Sequence, residues 1–271
     1  MKSMEKLLLT TIQTELHWED KAANLEMLDR KIDSIQDTTH VIVLPEMFST
    51  GFSMKPEQLA ETMEGETVTW MKQKSRERNC ILTGSLIIKE GDDYYNRLIW
   101  MLPNGTYGHY DKRHCFTLAG EHEHYTAGGK RLIASVGGWK INLQICYDLR
   151  FPVWARQQLQ PDDQKNPLPE YDVLIYVANW PQRRSNAWKT LLQARAIENQ
   201  SFVVGVNRVG NDGNGIYHSG DSMVIDPLGS VLYHASEKEE INTTVLNRQS
   251  LIETRTNLPF WADGDGFILL T

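Results

Sequence analysis

The sequence predicts an α/β domain that is organised around a largely buried sheet. Residues 40–44 and 172–177 are continuous apolar runs, which are typical of strands covered on both faces. Segments with an apolar stripe at helical spacing lie between such runs, and other segments carry the turn residues of hairpins. Helices that alternate with buried strands indicate the α/β class.

Local patterns assign the elements along the chain. Residues 20–36 are predicted to form an amphipathic helix because leucines and isoleucines recur on one stripe. An Asn-Gly turn predicts a hairpin over 92–110, and a Gly-Gly turn predicts another over 131–145. The polar, proline-containing residues 161–170 indicate a surface loop, and without a linker or repeat residues 1–271 form one domain. The other predicted strands are residues 7–14, 81–88 and 202–207, and the other predicted helices are residues 67–78, 186–199 and 248–255.

Composition and charge narrow the class of protein. The chain has 271 residues, of which 41% are hydrophobic and 23% are charged, as is ordinary for a soluble enzyme. A net charge of −7 argues against nucleic-acid binding, and no apolar run reaches the ~20 residues of a membrane span. The N-terminus lacks the cleavage site of a signal peptide. Three cysteines without a C-x-x-C pair suit a reducing compartment, so we expect a cytoplasmic protein.

Cys146 follows an alternating apolar run, at the point where a strand must end. Asp148 is placed to cap the next helical turn, and Pro152 falls where a first turn tolerates a missing N–H. A thiol beside a helix N-terminus has a positive dipole near it, which favours the thiolate. These features predict a nucleophile, whereas a lone cysteine after a strand is more often a buried apolar side chain.

Glu46 and Lys112 also follow apolar runs, so they are expected to converge with Cys146 at one edge of the sheet. The three side chains suit one reaction, in which a thiolate attacks a carbonyl carbon, a carboxylate transfers the proton and an ammonium stabilises the oxyanion. Each residue also has an ordinary alternative. Glu46 could be a helix cap or surface charge and Lys112 part of a solvated turn, and the spacing alone leaves these open.

A histidine-rich segment overlaps the same region. Five potential metal ligands fall within sixteen residues, namely His109, His114, Cys115, His122 and His124. A strand at 122–124 would place two imidazoles on one face, but the spacing matches no standard zinc pattern, so no metal site is predicted. A redox-sensing thiol at Cys146 is a further alternative, although a sensor needs no carboxylate and ammonium beside it.

The chain resembles the nitrilase (carbon–nitrogen hydrolase) superfamily in three separate blocks, and the likeness covers essentially the whole chain. The blocks are Leu-Pro-Glu-Met-Phe around Glu46, Tyr-Asp-Lys-Arg-His around Lys112 and Ile-Cys-Tyr-Asp-Leu-Arg-Phe-Pro around Cys146. They look like the blocks that hold the family's catalytic glutamate, lysine and cysteine. A Gly-Glu-His segment resembles the family's loop with a supporting glutamate, which implies that Glu121 positions the lysine and the substrate.

The resemblance also implies a fold and an assembly. The family fold is an α-β-β-α sandwich that becomes four-layered on dimerisation, with the nucleophile helices at the subunit interface. We therefore expect a homodimer or higher homo-oligomer, whose aromatic tail at about residues 258–271 reaches the partner subunit. The implied mechanism uses no metal or organic cofactor, and the backbone N–H of Tyr147 joins Lys112 in holding the oxyanion.

Within the superfamily, the segments around Cys146 and Trp180 look most like the bacterial omega-amidases, which hydrolyse the terminal amide of α-keto acids such as α-ketoglutaramate. The carboxylate of such a substrate needs a cation, and Arg150 is the candidate because a guanidinium pairs bidentately with a carboxylate. A structural ion pair with Asp148 or another acidic residue is the alternative for this arginine. Phe116 and Trp180 are the candidate aromatic contacts. The expected partner is a small-molecule amide substrate. The alternative activities within the superfamily are those of an aliphatic amidase, an N-carbamoyl amidohydrolase and a nitrilase.

Overall fold

Two large β-sheets pack face to face in the computed structural model, which describes residues 4–161 and 167–269. The strands in chain order are β1 (Lys6–Gln13), β2 (Val41–Val43), β3 (Ile81–Glu90), β4 (Asp93–Met101), β5 (Tyr107–Asp111), β6 (Ile133–Val136), β7 (Trp139–Ile145), β8 (Leu159–Pro161), β9 (Pro167–Pro169), β10 (Val173–Ala178), β11 (Phe202–Asn207), β12 (Val209–Asn211), β13 (Tyr217–Ile225), β14 (Val231–Ser236) and β15 (Glu240–Asn247). The α-helices are α1 (Lys21–Asp33), α2 (Pro56–Leu59), α3 (Glu66–Arg78), α4 (Glu121–His124), α5 (Pro152–Ala155), α6 (Ser185–Asn199) and α7 (Arg248–Asn257).

The strand order places parallel strands at the centre of both sheets. One sheet runs β15-β1-β2-β3-β4-β5, and the other runs β12-β13-β11-β10-β7-β6 with β14 beside β13. The β1-β2-β3 and β7-β10-β11 pairings are parallel, and antiparallel strands flank them. The strands β2, β10 and β11 are buried along their full length, as continuous apolar runs predict.

Alternate side chains of each strand fill two different hydrophobic layers. Val41 and Val43 point between the sheets, where they share a core with Leu143 of the facing sheet. Ile42, between them in sequence, packs in the cluster that contains residues of α1 and α3, as the period of two in a strand requires. On the far side, α6 covers the second sheet through residues such as Trp188. The layers are therefore α-β-β-α, which confirms the predicted fold class.

The structure corrects one local expectation and adds two details that the sequence did not predict. Residues 161–170 were expected to be a surface loop, but β8 and β9 pair there as a short antiparallel ribbon, and 162–166 lie outside the described residues. The sequence did not predict β15, which pairs with β1 at the edge of the first sheet. In the aromatic tail, Trp261 is bound to its own chain because its N–H groups donate to Gln200 Oε1 at 2.9 Å and to Arg255 O at 3.1 Å. The last two residues of the tail, 270 and 271, lie outside the described part.

None of the helices formed by the described residues combines the length and the apolar character that crossing a membrane requires.

Candidate active site

Glu46 reaches the interior from the end of β2. Its side chain is fully buried. The carboxylate oxygen Oε1 accepts hydrogen bonds from Lys112 Nζ and from Asn96 Nδ2, each at 2.8 Å. The other oxygen, Oε2, accepts the backbone N–H of Asn179 at 2.8 Å. Donors on three different segments therefore hold this carboxylate in one orientation.

Lys112 follows β5 directly and is buried between two carboxylates. Its ammonium donates to Glu46 Oε1 at 2.8 Å and to both oxygens of Glu121 at 2.9 Å. It also lies 5.0 Å from the ring centroid of Phe52. Burial alone would lower the pKa of Lys112, but the charges of Glu121 and Glu46 outweigh burial and hold that pKa well above its usual value. The ammonium is therefore charged throughout the neutral range.

Glu121 opens the short helix α4 and completes a buried row of charges. Its carboxylate accepts hydrogen bonds from Lys112 and from the backbone N–H of Phe116, and Asn96 Nδ2 lies 3.3 Å from its Oε1. Burial raises the pKa of Glu121, and the negative charge of Glu46 adds to that effect, whereas Lys112 opposes it. Two carboxylates share a single ammonium, and the net effect is that the pKa of Glu121 is raised.

Cys146 is the first residue after β7 and begins a 3-10 helix, Cys146–Arg150. Its φ of 44° lies in the left-handed region, which costs a non-glycine residue about 1–3 kcal/mol. Burial raises the pKa of the thiol well above its usual value; Glu46 adds to this effect and Lys112 opposes it. This direction is opposite to the expected resting thiolate, because burial and the charge of Glu46 both disfavour the charged form of the sulfur.

Asp148 holds the turn that follows β7. Its Oδ2 accepts the backbone N–H of Ile145 at 3.0 Å and the hydroxyl of Tyr110 at 2.8 Å. Its Oδ1 accepts the backbone N–H of His114 at 3.0 Å and lies 2.8 Å from Nδ1 of the same residue. Through the N–H of Ile145 the aspartate caps the start of the 3-10 helix in which it lies, and it does not cap the following helix α5. Since His114 is two residues from Lys112, this carboxylate ties the lysine segment to the cysteine turn.

A pocket of about 370 Å³ opens beside the thiol and the ammonium. Its lining includes these residues of the predicted set: Lys112, Phe116, Cys146, Tyr147, Arg150 and Trp180. The guanidinium carbon of Arg150 lies 5.0 Å from the ring centroid of Trp180. Among the described residues, the ion pairs do not include an Arg150–Asp148 pair, and Asp148 is occupied by the donors given above.

Sequence reasoning assigned no role to two asparagines that organise the site. Asn96 lies within a buried stretch of β4, and its amide contacts both glutamates. Asn179 follows β10, and its side-chain amide donates to the backbone oxygen of Glu46 at 2.5 Å. A polar residue inside a buried strand was the available signal for Asn96. The strand-end argument that selected Cys146 applies equally to Asn179.

The histidine-rich segment does not form a metal site in the described part of the chain. His122 and His124 lie on the helix α4 and not on a strand that would place both imidazoles on one face. His114 instead stacks on Phe151, with ring centroids 3.8 Å apart. No group of three or more His, Cys, Asp or Glu side chains able to hold a metal ion occurs among residues 4–161 and 167–269.

Comparison with known proteins gives one consistent family. The model of the carbon–nitrogen hydrolase family matches residues 8–256. Omega-amidase YafV of Yersinia enterocolitica is 42% identical over 268 residues, which cover 98% of this chain and 100% of that protein. The 2-oxoglutaramate amidase of Bacillus subtilis is 30% identical over 261 residues, with 95% and 97% covered. XC1258 of Xanthomonas campestris, a CN-hydrolase superfamily protein with an arsenic adduct in its active site, superposes with a TM-score of 0.94 at 40% identity, covering 98% of this chain and 100% of that chain.

Proposed function

Because the chain belongs to the carbon–nitrogen hydrolase family of the nitrilase superfamily and is an amide-hydrolysing enzyme, we propose that it cleaves the terminal carboxamide of a small α-keto acid amide through a thioester at Cys146. The observation that carries this proposal is the contact between a buried charged row and a pocket. Lys112 binds Glu46 and Glu121 on one side and, with Cys146, lines the pocket on the other.

In the proposed first step, Glu46 accepts the proton of the Cys146 thiol as the sulfur attacks the amide carbon. The raised pKa of this thiol makes such a base necessary, because the resting sulfur carries its proton at neutral pH. A C–S bond forms and the carbonyl becomes a tetrahedral oxyanion. Glu46 then gives its proton to the leaving nitrogen, the C–N bond breaks, and ammonia departs from a thioester.

In the proposed mechanism, the ammonium of Lys112 and the backbone N–H of Tyr147 stabilise the oxyanion by donating hydrogen bonds to it. Charged and backbone donors that are fixed before the reaction stabilise developing charge without reorganisation. The hydrogen bonds of Lys112 to Glu46 and Glu121 supply that fixation. Water then attacks the thioester carbon and gives a proton to Glu46. The C–S bond breaks, the acid is released, and Glu46 returns the proton to the sulfur of Cys146.

Two observations support the proposed substrate class: the names of the relatives and the charge at the pocket. Two of the similar proteins are an omega-amidase and a 2-oxoglutaramate amidase. Arg150 lines the pocket, and a guanidinium suits the carboxylate at the far end of an α-keto acid amide. The pocket volume of about 370 Å³ is at the small end of the range for ligand sites, ~300–1,000 Å³, as a short substrate requires.

The test is ammonia release from α-ketoglutaramate, a simple aliphatic amide, an N-carbamoyl amino acid and a nitrile. We expect turnover of the keto acid amide by the wild type and none by Cys146→Ala. Cys115→Ala is the matched control, because this second partly exposed cysteine is not among the residues that line the pocket. Turnover of another substrate in place of the keto acid amide would move the protein to that branch of the superfamily. Undiminished turnover by Cys146→Ala would exclude the thioester.

A further inference from the structure

Three arginines meet at the candidate pocket, and only one of them was singled out from the sequence. Arg150, Arg183 and Arg184 all line it. Among the described residues, the ion pairs within 4.0 Å include none of the three. Charged side chains that gather without acidic partners mark a place where an anion binds.

Of the two pocket arginines that were not predicted from the sequence, Arg184 is held by more contacts. Its guanidinium carbon lies 5.1 Å from the ring centroid of Phe116. Its backbone oxygen accepts the indole N–H of Trp180 at 2.8 Å, so the segment is tied to the aromatic wall of the pocket. Arg150 stacks on the ring of that same tryptophan. The two guanidiniums are therefore held over different aromatic rings of one pocket.

The arginines repel one another. Burial lowers the pKa of Arg184, and the positive charges of Arg183 and Arg150 lower it further. Negative charge on Cys146 or Tyr147 has the opposite effect, which places Arg184 within electrostatic reach of the nucleophile. A bound anion would relieve this repulsion, whereas a cation would increase it.

The acidic residue of the pocket is directed elsewhere. Oδ1 of Asp212 accepts the backbone N–H groups of Asn214 at 2.8 Å and Ile216 at 2.9 Å, within its own turn. Its charge acts on Arg208 and on His218. Burial and the charge of Arg208 lower the pKa of His218 to about 4, so this pocket residue is neutral at pH 7.

We propose that Arg184, together with Arg150 and Arg183, selects ω-amides whose far end carries a carboxylate next to an oxo group and rejects those with an ammonium group there. This inference rests on the proposed function and names the residue that determines its specificity. A carboxylate takes two parallel hydrogen bonds from one guanidinium, and the adjacent oxo oxygen is an acceptor for a second. An α-ammonium offers only donors and a like charge, so both guanidiniums oppose it.

The test compares kcat/KM for four amides of equal chain length: pentanamide, glutaramate, α-ketoglutaramate and glutamine. For Arg184→Gln we expect a roughly ten- to hundredfold loss with the two anionic amides that lack an ammonium group, the effect of removing a charged hydrogen bond. Pentanamide should change little, and the preference for α-ketoglutaramate over glutamine should shrink. Arg184→Lys keeps the positive charge but loses the bidentate hydrogen bonding of the guanidinium. This variant should still reject glutamine, while its kcat/KM for α-ketoglutaramate should fall in part.

The control is Arg76→Gln, which removes the same charge from an exposed position on α3, away from the pocket. An equal loss with all four amides would assign Arg184 a structural role, and no loss with α-ketoglutaramate would remove it from the subsite. Calorimetric binding of 2-oxoglutarate to Cys146→Ala, with and without Arg184→Gln, gives a readout that needs no turnover. If Arg184→Gln weakens the binding of 2-oxoglutarate ten- to hundredfold, the subsite is supported even if the enzyme proves to hydrolyse another class of amide. An unchanged Kd overturns the proposed subsite.

Discussion

At the scale of single residues, the candidate site combines a protonated thiol with a carboxylate that hydrogen bonds hold in one orientation. The pKa of Cys146 is raised by burial and by the charge of Glu46. The same carboxylate is fixed by Lys112, Asn96 and Asn179. The thiolate is the reactive form of a cysteine. A sulfur that stays protonated until a base takes its proton is therefore protected from adventitious oxidants and alkylating agents.

Glu46→Gln should separate the two effects of this carboxylate. Acylation should slow by roughly 10²- to 10⁴-fold, the usual contribution of a general base, when the ammonia burst is followed with α-ketoglutaramate. The pKa of Cys146 should fall, because one negative charge that raises it is removed while Lys112 remains. A pH titration of thiolate absorbance should therefore show the thiolate at lower pH in the variant than in the wild type.

Glu123→Gln is the control, since this exposed carboxylate on α4 should leave both readouts unchanged. Acyl-enzyme at the wild-type rate in Glu46→Gln would contradict the role of Glu46 as the first base. A thiol pKa that rises in this variant would contradict the electrostatic account of the resting cysteine.

At the scale of elements, the geometry of the candidate site depends on the turn after β7, which the side chain of Asp148 holds in place. Cys146 has a left-handed backbone at the end of β7, and the lysine segment follows β5 in the other sheet. Asp148 binds both: Ile145 on the cysteine side, and Tyr110 and His114 on the lysine side. Its position links the two sheets at the point where the reacting groups emerge.

Asp148→Asn should therefore weaken both the fold and the reaction. The amide replaces one acceptor oxygen by an NH₂ group, which leaves buried donors unpaired at about 1–3 kcal/mol each. Urea denaturation at pH 7 should show this loss in the free energy of unfolding. We expect kcat to fall more than KM rises, because the variant misplaces reacting groups but keeps the pocket arginines. Asp92→Asn, an exposed turn residue, is the control, and a change in KM alone would place Asp148 in substrate binding.

The order and type of most elements could be predicted because local patterns decide them. The Asn-Gly turn between β4 and β5 and the Gly-Gly turn between β6 and β7 form the expected antiparallel hairpins. The continuous apolar runs became β2 and β10 as expected. The pairing of β15 with β1 depends on residues more than 200 positions apart, such as Leu8 and Val245, which no local pattern records. The ribbon β8-β9 was missed for a different reason: the pairing is local, but the polar, proline-containing composition of the segment is typical of a loop.

For the candidate site, strand ends were the informative signal. They brought Glu46, Lys112 and Cys146 into one neighbourhood, as the sequence predicted. The protonation state of the thiol was missed, because it depends on burial and on a charge 100 positions away in sequence. The pocket position of Arg184 was missed for a similar reason, since in sequence it is one more basic residue ahead of a helix.

At the scale of the whole molecule, an exposed apolar face lies on the side of the second sheet that α6 covers. Ile197 on α6 and Leu228 in the β13–β14 turn are each 55% exposed. They are neighbours, since the side chain of Ile197 lies against Gly229. Val153 on α5, close behind the cysteine turn, is also 55% exposed. The sequence resemblance to the nitrilase superfamily implies a subunit interface at the nucleophile helices.

We predict that the protein is a homodimer through this face. Light scattering on the eluting protein should give twice the chain mass of 31.1 kDa, and Ile197→Glu should shift it toward a single chain because it buries an unpaired charge. Val245→Glu on β15, a similarly exposed residue at the edge of the other sheet, should leave the mass unchanged. A dimer that survives Ile197→Glu but not Val245→Glu would place the interface at β15. Since α6 begins one residue after Arg184, dissociation should also raise KM for carboxylate substrates more than for pentanamide.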